Sequence, residues 1–222
     1  MVNCPICDWK GDKFLPYGKI KRENAVCPEC GAKERHRLLG LYLKKTLDDK
    51  EPMKLLHFSP EKCLANLLKS YKNIDYISAD LNPERAMTKQ DITHMDFENN
   101  LFDMILCVDV LEHIPDDLKA MRELHRVLKP RKYAILQVPI HDADKTFEDF
   151  SITSPEDKEK YFYQKDHVRV YGRDYRDRLR KAGFNVKVDR FIDSLEEEEI
   201  EKFALIMQGA SKERHYINLC TK

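Results

Sequence analysis

Short apolar runs that alternate with longer stretches of 3.6-residue period predict an α/β fold. Its sheet would be parallel and mostly buried, with a small four-cysteine module in front. Three observations carry this. Apolar runs recur at 54–58, 76–80, 102–108, 133–139, 185–191 and 215–221. Amphipathic stretches separate most of them. Two Cys-Pro-X-Cys pairs stand within the first 30 residues. A chain of 222 residues suits one good-sized domain plus a small module and needs no disulfides to hold its core.

In the module, Cys4-Pro-Ile-Cys7 and Cys27-Pro-Glu-Cys30 are separated by 19 residues. Each pair puts two thiolates three positions apart on a turn, and four thiolates suit a tetrahedral zinc ion. Such a closed site is structural, because it leaves no open position for a substrate. Gly31 supplies the positive φ that these turns need. Residues 1–37 are expected to form this zinc ribbon. They carry eight Lys/Arg and five Asp/Glu. After the −2 of a four-thiolate zinc site, little positive charge remains to draw the aromatic and basic segment 9–26 onto nucleic acid, so that partner is weakly supported.

Residues 38–222 form the main domain. The spacing predicts helices over 38–47, 61–71, 116–128 and 172–183. Crossovers between the runs imply parallel pairing, and the last two runs can pair antiparallel at one edge. Glu196–Glu199 reads as the solvated first turn of a further helix, where acids favour the macrodipole. Ser59-Pro60 reads as a helix start, with Ser at the N-cap and Pro at the first helical position. Cys63, Cys107 and Cys220 read as small buried apolar residues.

Composition excludes several functions. Lys+Arg and Asp+Glu both number 39, so no overall basic field draws the chain to nucleic acid. No apolar run is long enough to span a membrane, and the N-terminal stretch has no apolar h-region, which makes the cytoplasmic location the expectation.

In an open α/β sheet, ligands sit beyond the carboxyl ends of the strands. There the sequence places His57-Phe-Ser-Pro-Glu61, Asp80-Leu81-Asn82, Gln90-Asp91-Ile92 and Cys107-Val-Asp109-Val-Leu-Glu112-His113. Asp80 is suited to ribose hydroxyls, and Asp91 to an adenine amine.

Together, DITHMDFENNLFDMILCVDVLEHIPDDLKAMRELHRVLKP resembles the centre of class I S-adenosylmethionine-dependent methyltransferases of the methyltransferase-11 type. VLEH after the fourth strand and RVLKP at the next helix end carry the likeness. CPECGAKERHRLLGLYL, LHFSPE, YISADL, ILQVPI and DHVRVYGRDYRDRL resemble a narrower group in which a four-cysteine ribbon precedes the methyltransferase domain. The resemblance covers nearly the whole chain. It implies a Rossmann-like, doubly wound, mostly parallel seven-stranded sheet with its last strand antiparallel. It also implies S-adenosylmethionine as cofactor, and an acceptor, small molecule or macromolecule, that the residues do not name. The cofactor would lie against His57, Phe58, Ser59, Glu61, Asp80, Leu81, Asp91, Ile92, Cys107, Val108 and Asp109.

The chain departs from the general family at the glycine-rich loop. No glycine occurs between Leu41 and Tyr171, and Arg131-Lys132 stand where a glycine pair follows LKP. A loop with Cβ atoms cannot wrap a ligand as closely. The cofactor is then held by side chains, or the chain is a non-catalytic scaffold with a degenerate site. A nicotinamide oxidoreductase would need G-x-G-x-x-G, which is absent.

For catalysis the candidates are Asp109, His113, His141 and His167. Asp109 would orient the acceptor or take a proton, against a plain N-cap role. Glu112 and His113 read more readily as hydrogen-bonders of their turn. His141, Asp142 and Asp144 would line the acceptor side. His167, Arg169 and Tyr171 would face one pocket or form one face of a short strand. Arg35, His36 and Arg37 are basic candidates for the cofactor carboxylate. The long stretch 141–168 reads as a lid and specificity element.

Overall fold

A computed structural model describes residues 1–18 and 21–222. Lys19 and Ile20, in the aromatic and basic stretch of the module, lie outside the described residues. The chain forms two compact units: one of residues 1–52, 61–74 and 189–217, the other of residues 53–60, 75–188 and 218–222.

The first unit begins with two short antiparallel ribbons, Val2–Asn3 with Lys10–Gly11 and Leu15–Tyr17 with Arg22–Val26. Among the described residues, three α-helices belong to it: α1 (Glu34–Thr46), α2 (Lys62–Lys69) and, numbered in chain order, α6 (Glu197–Phe203). α1 starts four residues ahead of the expected 38 because His36 Nδ1 accepts from the Lys33 amide at 3.3 Å and ties the first turn. The expected boundary at residue 37 therefore falls inside this helix. α2 starts later than expected, at Lys62 with Glu61 as N-cap, because Ser59 adopts φ +51, a left-handed conformation that cannot begin a helix. The glutamate run does open α6, as its composition predicts. Leu38, Leu41, Ile192, Leu195, Ile200 and Leu205 form the apolar cluster of this unit.

The second unit is built on a seven-stranded sheet. Its strands are β1 (Met53–Phe58), β2 (Ile74–Asp80), β3 (Thr88–Lys89), β4 (Phe102–Val108), β5 (Leu128–Gln137), β6 (Asn185–Asp189) and β7 (Ile217–Thr221). Their order is β6-β7-β5-β4-β1-β2-β3. β1, β4 and β5 run parallel, as do β2 and β3, while β7 is antiparallel to β5. This is the Rossmann-like order, and the reversal lies at the edge that the sequence leads one to expect. Central β4 is buried along its whole length, which explains its unbroken apolar run.

Helices α3 (Asp117–Val127) and α5 (Tyr175–Lys181) pack on each other and bury Ala120, Met121, Leu124, Val127, Tyr175 and Leu179 in the main core. α3 begins where Asp116 accepts from the Lys119 amide at 3.0 Å. Its end is tied by Arg126, which donates to the carbonyls of Met95 and Phe97 at 2.7 Å each and pairs with Glu123. The arginine of RVLKP thus fastens the loop before β4. β5 starts at Leu128, directly after α3 and earlier than the expected 133, because Leu128 already pairs with Phe102. Helix α4 (Pro155–Phe162) lies in the 141–168 stretch and is capped by Ser154, whose hydroxyl accepts from the Asp157 amide at 3.1 Å.

Candidate functional site

The register Phe58↔Cys107 and Val108↔Gln137 brings the carboxyl ends of β1, β4 and β5 level. Just beyond them two non-glycine residues take left-handed backbone, Ser59 at φ +51 and Asp109 at φ +52. Both are pinned by main-chain bonds, Ser59 N–H to Ala79 at 2.7 Å and Asp109 N–H to Gln137 at 2.9 Å. Such conformations cost of order 1–3 kcal/mol and persist where the surroundings impose them. The loop without glycine thus keeps a backbone that glycine would adopt freely. Arg131, at the other expected glycine position, does the same at φ +62. Asp109 is not a helix N-cap: Val110 precedes the 3-10 turn Leu111–His113, and Asp116 caps α3.

Asp80, buried at the end of β2, accepts from the Asn82 amide at 2.8 Å, and its second oxygen lies 3.9 Å from Arg85. Leu81 beside it is exposed. Asp91 is exposed and spends one oxygen on the Thr93 amide and hydroxyl, at 2.8 and 2.9 Å. Ile92, Phe58, Cys107 and Val108 are buried apolar residues. His57 is fully buried, with Nδ1 3.0 Å from the Tyr76 hydroxyl, so its imidazole lies inside the fold.

The turn after β4 is clamped by the DHVRVYG segment. Arg169, fully enclosed, donates to the carbonyls of Leu111 at 3.0 Å and Pro115 at 2.8 Å, and to Ile114. The Tyr171 hydroxyl donates to Asp117 at 2.7 Å. Its phenol is pushed well above its ordinary value by burial and by the Asp117 charge. Arg169 and Tyr171 therefore act as structural clamps, while His167, on the same segment, is brought to His113 with ring centroids 4.6 Å apart. Burial and the His113 ring lower the His167 pKa to about 4. His141 stacks flat on Tyr163, 4.8 Å between centroids. Asp142 and Asp144 are exposed and paired with Arg173.

In the other unit, the four ribbon cysteines cluster with their sulfurs within 4.8 Å of one another. The Cys4–Cys30 and Cys7–Cys27 sulfurs are 3.6 Å apart. A tetrahedral ion at about 2.3 Å from each sulfur spaces them by about 3.8 Å, so the residues fit. The two knuckles are equivalent. Asp8 N–H bonds Cys4 O at 2.9 Å, and Gly31 N–H bonds Cys27 O at 3.0 Å, with Asp8 at φ +59 and Gly31 at φ +72. The arrangement is consistent with a zinc ribbon.

Of the basic candidates nearby, Arg37 is committed to structure. Its guanidinium donates to the carbonyls of Phe203, Ala25, Ala32 and Ala204 at 2.6–2.8 Å. His36 is buried, accepts from the Lys33 amide at 3.3 Å, and lies 3.6 Å from Glu61. Burial first, and Arg35 next, lower its pKa to about 3, so it is neutral at pH 7.

A family model described as a methyltransferase domain matches residues 32–187. This chain belongs to the methyltransferase family. Solved structures agree on the fold. One is a chain of the complex between the Haloferax volcanii Trm112 methyltransferase activator and a methyltransferase. It is 16% identical, with 85% of this chain and 90% of that one covered, at a TM-score of 0.58. Phosphoethanolamine N-methyltransferase 2 of Haemonchus contortus, solved with S-adenosyl-L-methionine, is 16% identical over 84% of this chain and 52% of that one, TM-score 0.54. An S-adenosylmethionine-dependent methyltransferase of Archaeoglobus fulgidus is 13% identical over 83% and 93%, TM-score 0.52. An uncharacterized protein of Methanocaldococcus jannaschii is 36% identical over 96 residues, 39% of this chain. That match takes in 42% of the archaeal protein's length. No helix among the described residues of this methyltransferase-family chain is long and apolar enough to cross a membrane.

Sequence reasoning missed the grouping of Glu112 with His113 and His167. The signal was present in VLEH and DHVRV, but 54 positions separate the two histidines, and only the clamp joins them.

Proposed function

We propose that the chain transfers a methyl group from S-adenosylmethionine to an acceptor at the carboxyl ends of β1, β2 and β4, and that the ribbon cysteines hold a structural zinc. The observation that carries the reading is the pair of imposed left-handed residues, Ser59 and Asp109, at the ends of adjacent parallel strands beside the buried carboxylate of Asp80. Bound there, the cofactor would supply an electrophilic methyl on a sulfonium sulfur. Asp80 would accept from the ribose hydroxyls. Asp109 would orient the acceptor. Residues 141–168 would meet that acceptor, since Phe147, Phe150, Tyr161 and Tyr163 expose their rings there.

Calorimetry of zinc-loaded protein with S-adenosylmethionine and S-adenosylhomocysteine tests the reading. Binding of both is expected. Asp80→Ala should weaken it by about 1.5–3 kcal/mol. If neither ligand binds at millimolar concentration, the enzyme reading fails and the scaffold reading takes its place.

A further inference from the structure

Glu112, His113 and His167 each offer one ligand atom, and the three atoms lie within 4.8 Å of one another. Glu112 and His167 are buried and His113 is half-buried. Nδ1 of His167 lies 3.0 Å from the Phe162 carbonyl oxygen, so it must carry the proton and donate. That tautomer leaves the Nε2 lone pair, which is buried with no hydrogen-bond partner. His113 repeats the pattern: its Nδ1 is 3.3 Å from the Asp166 carbonyl oxygen and 3.4 Å from that residue's carboxylate. A ring nitrogen held by an oxygen acceptor is how proteins orient an imidazole whose other nitrogen ligates a metal. The backbone is tied as well, since Val168 N–H bonds Glu112 O at 3.0 Å. Arg169, two residues after His167, fastens the same turn.

We propose that Glu112, His113 and His167 form a second metal site, for a single divalent transition cation, separate from the four cysteines. Two imidazoles and a carboxylate suit zinc, iron, cobalt, nickel or manganese and leave coordination positions open. The site itself stands apart from the methyl-transfer reading. Its use rests on that reading: the open positions would receive an oxygen of the acceptor, three residues along the chain from Asp109.

The test is a titration of zinc-loaded protein with cobalt(II), followed by absorption and calorimetry. One cobalt per chain should bind with weak d–d bands and no thiolate charge-transfer band, which shows that the cysteines are not its ligands. His113→Ala and His167→Gln should each weaken binding roughly ten- to a hundredfold. Circular dichroism shows whether either variant has unfolded, and His113, being half-exposed, is the safer of the two. No cobalt bound at millimolar concentration, or an unchanged affinity in the folded variants, would overturn the site. S-adenosylmethionine binding measured on the same samples reports separately on the methyl-transfer reading.

Discussion

Arg131 and Ser59 hold left-handed backbone without being glycine. Arg131 is exposed, so nothing but its backbone should resist a change. Arg131→Gly relieves a strain of about 1–2 kcal/mol and gives back part of it as unfolded-state entropy. A higher urea midpoint, corresponding to up to about 1 kcal/mol of added stability, is expected, and a lower one would show that the side chain contributes packing. His36 sets a pH dependence. Its folded pKa of about 3 lies below the ordinary 6.5, so the unfolded state binds the extra proton. Its contribution is complete above pH 6.5 and is lost as pH falls from there toward 3, at up to about 1.4 kcal/mol per pH unit. Urea melts at pH 7 and pH 5 should show the loss, and His36→Gln should flatten it.

At the scale of the element, two buried arginines organise the units. Arg37 on α1 joins the carbonyls of Ala25 and Ala32 to those of Phe203 and Ala204 at the end of α6. Arg37→Met keeps the bulk but strands four acceptors, and should cost at least about 3 kcal/mol. Equal denaturant midpoints for variant and wild type would show those carbonyls to be hydrated. Arg169 does the corresponding work for the turn after β4, where it also pairs with Glu148 at 2.9 Å. Both residues carry basic side chains that sequence reasoning could assign to a ligand; Arg37 spends its donors on backbone oxygens, and Arg169 on backbone oxygens and Glu148.

For the whole molecule, the second unit has its own core, drawn from β1, β4, β5, α3 and α5. Replacing Cys27 by Ser, or stripping zinc with a chelator, should therefore loosen residues 1–37 and spare the sheet. Hydrogen exchange followed by mass spectrometry should show protection lost in the ribbon and kept over Phe102–Gln137. Loss of protection in both would show that the ribbon is needed for the sheet.

What was legible in the sequence was what local spacing encodes: the cysteine knuckles, the buried run of β4, the amphipathic α3 and the acidic start of α6. Thiolate spacing and side-chain period are set within a few residues, so they can be read without a fold. The ends of the central strands were legible too, because acids and histidines follow the runs at 54–58, 76–80, 102–108 and 133–139. Tertiary structure decided the rest. Ser59 looks like an N-cap, yet the Ala79 carbonyl holds its amide and moves the start of α2 to Lys62. Arg37 looks like a ligand-binding cation, yet the carbonyls of Phe203 and Ala204, distant in sequence, take its charge. Glu112 and His167 meet because Arg169, Tyr171 and the Val168 amide hold the DHVRVYG segment on the turn after β4. Contacts between distant segments depend on which backbone oxygens packing leaves to be satisfied, and no local pattern carries that information.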